Sequence, residues 1–196
     1  MTTQPINLAS QSGNAVPERV HSTGMYLALA GILMFFTGLA SAWVVRKGLS
    51  TSSLEGPLEL PFGLLCVNTF LLVAGSATLE IARRGLIAGN RQSFRRWVYA
   101  ASMLGVGFLA GQIFVWRALR SAGLLVASNP DASFFFLITA AHGVLLIVAI
   151  LAVLIVAARD VRQTTSEAAR VIGIYWHFLT LLWCAIFLLL MANTKL

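Results

Sequence analysis

Five long apolar runs leave this chain few ways to fold. They place helical spans at about 25–46, 60–82, 97–119, 132–158 and 171–194. Each matches the roughly 20 residues an α-helix needs to cross a hydrocarbon core. The runs are apolar on all sides. Strands of a membrane barrel instead alternate apolar and polar residues over about 10 positions, so a barrel is disfavoured. The 196 residues are 58% hydrophobic and 11% charged, where a soluble domain carries about 25% charged residues. Packed in water, five such helices would lack the polar surface to cover them. The sequence therefore predicts an all-α, polytopic membrane helical bundle with five transmembrane helices.

The net charge of +7 raises the question of nucleic acid, and the placement of the charges answers it. If the helix ends alternate sides, one side collects Arg19, Arg83, Arg84, Arg91, Arg95, Arg96, Arg159, Arg162 and Arg170. The other side collects Arg46, Lys47, Arg117, Arg120 and Lys195. That bias puts the N-terminus in the cytoplasm and the C-terminus in the periplasm. The basic cluster reads as a topology signal, with Arg83, Arg84, Arg95 and Arg96 as candidate contacts to anionic lipid headgroups, and not as a nucleic-acid site.

Residues 1–22 are polar, rich in Ser, Thr, Asn and Gln, and are expected to form a disordered cytoplasmic tail. They lack the basic start and short apolar core of a signal peptide, so the first helix is expected to act as an uncleaved anchor. Residues 23–196 form one transmembrane domain. Pro61 suits a helix start, and Ser128-Asn129-Pro130-Asp131 is a turn signal. Trp43, Trp97, Trp116 and Trp176 fall near span ends, the depth amphipathic rings prefer, and are candidate interface anchors. Gly107 and Gly111 form a GxxxG pair, read as intrachain packing. Cys66 and Cys184 lie within spans without metal-site spacing and are expected to be buried free thiols.

Polar groups inside a bilayer are costly and each needs a reason. Glu80 and His177 lie at similar depth near the cytoplasmic ends of their helices. They form a candidate intramembrane polar pair. The alternatives are a simple interhelical tie, a carboxylate snorkelling toward Arg83 and Arg84, or a proton-handling role. Asn68, Thr69, Gln112 and His142 fall in outer halves and form a second candidate cluster, read as scaffolding. His142 and His177 differ in depth by well over a turn, so they do not share a metal. His21, in the tail, is the third and last histidine. Haem needs axial ligands and copper needs more His, Cys or Met than this chain brings together. No catalytic, cofactor-binding or metal residue is assigned. Hydrolytic motifs such as HExxH are also absent from the sequence.

Ordered segments resemble subunit III of the haem–copper terminal oxidases, in its five-helix bacterial form. They are Gly24-Met25-Tyr26-Leu27 with Met34-Phe35-Phe36-Thr37-Gly38-Leu39; Leu60-Pro61 with Asn68-Thr69 and Thr78-Leu79-Glu80; Phe108-Leu109 with Gln112; Ser133-Phe134-Phe135 with His142-Gly143; and Tyr175-Trp176-His177-Phe178 with Trp183. The resemblance spans about residues 24–192. It implies a non-catalytic subunit of a proton-pumping, O2-reducing cytochrome c or quinol oxidase in the bacterial inner membrane. Such a subunit packs on catalytic subunit I, with subunit II and a small subunit-IV-like helical protein nearby. It binds phospholipid and supports stability and proton uptake, while haem and copper stay in the partner subunits. Ile32 and Thr180 stand where the family usually has acids, and Leu145 replaces the second histidine of a His-Gly-x-His pattern. The resemblance also extends to subunit-III-like accessory proteins of nitric oxide reductase. A small membrane transporter is the remaining alternative, disfavoured because the sequence shows no internal repeat.

Overall fold

A computed structural model describes residues 18–49, 61–123, 130–158 and 166–194, and every structural statement below concerns those residues. They form five helices: α1 (Glu18–Leu49), α2 (Phe62–Ile87), α3 (Arg91–Ser121), α4 (Pro130–Ala158) and α5 (Ser166–Thr194). All five are long and apolar enough to cross a membrane, and no strand occurs among the described residues. The chain is a multi-pass membrane protein. Positions 1–17 of the expected tail lie outside the described residues, as do 50–60, 124–129, 159–165 and 195–196.

The helices overrun the spans read from hydropathy. α1 begins at Glu18, taking in five positions assigned above to the tail. Helical hydrogen bonding does not stop where hydrocarbon ends. The same effect fills most of the gap between the expected spans 60–82 and 97–119. Arg83 and Arg84 close α2, while Arg91, Arg95 and Arg96 open α3, leaving only Ala88–Asn90 between them. Gly89 (φ +75°) makes that turn, a left-handed conformation that costs glycine little. The Asn90 side chain then caps α3 by accepting from the Ser93 N–H at 2.9 Å. At the head of α2, the Pro61 carbonyl accepts from Leu64 and Leu65, as a helix-start proline should.

α2, α3, α4 and α5 close into a ring: α2 packs on α3 and α5, and α4 packs on the same two. α1 lies outside it, touching α4 and α5 alone. Its buried side chains are Leu29, Phe36 and Trp43, flanked by partly buried Met25, Ile32 and Leu39. Alternating steps of three and four residues make this a heptad seam. A Cβ on Gly31 or Gly38 would meet nothing within 4 Å, and a groove of about 520 Å³ lined by Gly31 opens between α1 and α4.

Inside the ring, small residues make room for large rings. A Cβ on Gly75 would stand 3.6 Å from Trp176, and one on Gly105 only 3.1 Å from Trp176 and 3.0 Å from Ile150. The Trp176 indole fills the slot between α2 and α3 that those missing side chains leave. Gly111 is covered by the Asn68 side chain, and a Cβ on Gly107 would meet Leu71 at 3.6 Å, so the GxxxG pair faces α2 of the same chain. Both cysteines are free; Cys66 is exposed, against the expectation that it is buried.

Candidate functional site

Two groups of polar side chains lie along the ring. One sits at the end that carries the α2–α3 turn. Glu80, near the end of α2, accepts from Arg83 Nε and Nη2, both at 2.8 Å, and from Arg84 Nε at 3.1 Å. The i,i+3 and i,i+4 spacings put both guanidinium groups on the face of the carboxylate. His177 of α5 makes its hydrogen bond through Nδ1 to the hydroxyl of Ser76, one turn before Glu80. The expected direct Glu80–His177 bond is therefore not formed: each group has another partner. Both line a small cavity with Leu79, Arg83, Phe94 and Val153.

Of the four arginines expected at lipid headgroups, Arg83 is committed to Glu80 and is 37% exposed, while Arg84 is 76% exposed. Arg95 and Arg96 lie exposed on the first turns of α3.

The second group lies deeper. Asn68 Nδ2 donates to Gln112 Oε1 across α2 and α3 at 3.5 Å, the long limit of such a bond. Thr69 receives the Trp183 indole N–H at 3.0 Å and passes its own proton to the Leu65 carbonyl at 2.8 Å. The same device recurs between α3 and α4. There Trp116 donates to Thr139 at 3.0 Å, and Thr139 donates to the Phe135 carbonyl at 2.7 Å. In each case an indole from one helix is held by a hydroxyl back-bonded to its own helix.

His142 belongs to this group by position and not by hydrogen bonding. It is fully buried, 5.7 Å from the Phe108 ring and 5.2 Å from Trp183, while Phe108 and Trp183 meet edge-on at 4.7 Å. Neither His142 nitrogen has a protein hydrogen-bond partner among the described residues, nor do Gln112 Nε2 and Trp176 Nε1. The structure thus joins Asn68 to Gln112, and Thr69 to the ring cluster holding His142, but it does not make one hydrogen-bonded network of the four.

The tryptophans also divide. Trp97 is exposed and Trp116 partly so. Trp43 and Trp176 are enclosed by protein, at 2% and 0% exposure. Depth along the chain placed them at an interface; the α1 seam and the Gly75–Gly105 slot take them inside. Sequence reasoning missed Ser76 and the hydroxyls of Thr139 and Tyr175, the last donating to the Leu145 carbonyl at 3.2 Å. The four-residue step from Ser76 to Glu80 was the available signal for the first.

Among the described residues no three His, Cys, Asp or Glu side chains come together as a metal set. His142 is walled by the Phe108 and Trp183 rings, and His177 is bonded to Ser76 through Nδ1.

The family model described as cytochrome c oxidase subunit III matches residues 20–193. A probable cytochrome c oxidase subunit 3 of Nocardia farcinica is 29% identical over 188 residues, covering 89% of this chain and 93% of that protein. The cytochrome c oxidase subunit 3 of Corynebacterium diphtheriae is 29% identical, covering 92% and 97%. That of Thermostichus vulcanus is 25% identical, covering 88% and 87%.

Proposed function

The chain belongs to the cytochrome c oxidase subunit III family, and from that premise we propose that it is the cofactor-free bracing subunit of a haem–copper terminal oxidase. In this reading it packs against catalytic subunit I in a bacterial inner membrane, N-terminus in the cytoplasm and C-terminus in the periplasm. Subunit II and a small subunit-IV-like helical protein complete its surroundings. It holds phospholipid, and it supports stability and proton uptake without taking part in O2 reduction.

One arrangement carries the reading. A closed ring of four helices is joined to a fifth by a single seam, and beside that seam runs a groove of about 520 Å³ lined by Ala28, Gly31, Ile32, Phe35, Ala141, Val144 and Leu145. An apolar groove on the flank of a membrane bundle suits acyl chains or a neighbouring helix; it offers no polar group with which to turn over a substrate. Small residues on both walls allow close backbone approach. The exposed Arg95 and Arg96 suit anionic headgroups at the end of the bundle.

Isolation in mild detergent with an absorption spectrum tests this. The chain should bring down a haem–copper oxidase core, and separated from it should show no Soret band. Stoichiometric haem on the separated chain would overturn the reading. A nitric oxide reductase as the partner would redirect it to the accessory role.

A further inference from the structure

The cavity shared by Glu80 and His177 measures about 10 Å³ and is otherwise lined by Arg83 and apolar side chains. A cavity needs roughly 10–15 Å³ of such space, and two to four polar partners, to hold one water. This one has the space of a single water.

The hydrogen bonds already made around it leave specific sites open. A carboxylate offers about four lone-pair sites. On Glu80, Oε1 accepts from Arg83 Nη2 and Arg84 Nε, and Oε2 accepts from Arg83 Nε alone. The fourth site, on Oε2, remains. His177 uses Nδ1 on Ser76, which leaves Nε2. Ser76 and Glu80 are four residues apart on α2, hence on one face and about 6 Å apart along the axis. An imidazole bonded to Ser76 and lining the same cavity as Glu80 therefore lies beside two successive turns of α2.

We propose that this cavity is a binding site for a single ordered water joining His177 Nε2 to Glu80 Oε2. The water donates one proton to the carboxylate. It accepts from Nε2 when Ser76 donates to Nδ1, and donates to Nε2 when the tautomer is reversed, so both ring forms are served. The result is a continuous chain, Ser76–His177–water–Glu80–Arg83, that fastens α5 to α2 at two levels. It does not depend on which complex the chain joins.

Two measurements on the full chain, in its native complex or in nanodiscs, test the site. A density map fine enough to show ordered waters should contain one peak within hydrogen-bond distance of both Glu80 Oε2 and His177 Nε2. Direct contact of the two side chains, a headgroup in the cavity, or no peak where other buried waters are seen would overturn the proposal. A double-mutant cycle of Glu80→Met and His177→Phe should show coupling of roughly threefold to tenfold in the unfolding equilibrium. Strict additivity would overturn it. The Ser76→Ala/His177→Phe cycle is the control, because that bond is direct.

Discussion

The two intramembrane histidines receive opposite treatment. His177 reaches across from α5 to Ser76 on α2, beside a carboxylate that holds two arginines. His142 lies among Phe108 and Trp183, with no protein partner for either nitrogen among the described residues. One works as a polar tie between helices and the other as a flat ring in an aromatic stack. The lesson is that a polar side chain in a membrane helix is no guide to its task until the opposing helix is known.

Substitutions can break that contrast, and the largest effect belongs to the aromatic side. His142→Lys would force a charge into a fully buried site without a counter-ion, and a loss of about 3–5 kcal/mol is expected, enough to prevent accumulation of folded chain. Membrane-fraction yield and denaturant titration would show it. Thr69→Val strips the acceptor from the buried Trp183 N–H and should cost about 1–3 kcal/mol; near-neutral behaviour would show that the indole finds another acceptor. His177→Phe should cost about 0.5–1.5 kcal/mol, because Ser76 can turn back on its own helix. His142→Phe should lie within about 1 kcal/mol of wild type, since it keeps the ring and removes only unpaired nitrogens. If unfolding titrations rank His142→Phe as more damaging than His177→Phe, the contrast is wrong. Smallest of all, Arg96→Gln should shift stability by no more than about 0.5 kcal/mol while lowering affinity for anionic vesicles.

The five helices were legible because their signal is one of length: each run exceeds what a bilayer requires, whatever packs beside it. Their ends were less so, since Arg83 to Arg96 read as a loop by charge but form parts of two helices joined at Gly89. The polar sites were half legible. Depth along a helix follows from counting, and it brought Glu80 and His177 to one level. Azimuth does not: the four-residue step puts Ser76 on the face of Glu80, but which of the two His177 meets depends on how α5 is turned. Trp176 shows the same limit, since its burial depends on Gly75 and Gly105, which lie on two other helices. Family resemblance, carried by ordered short motifs, reached further than any single residue did.

The seam that holds α1 has a property beyond adhesion. Its three enclosed side chains grow along the helix from Leu29 through Phe36 to Trp43. Such a graded key fits its lock at one height. Sliding by a heptad would bring each side chain to a socket cut for another size, too wide for one and too tight for the next. The vertical position of α1 is thus dictated by α4 and α5 beside it, and a thicker or thinner bilayer must adapt to the protein.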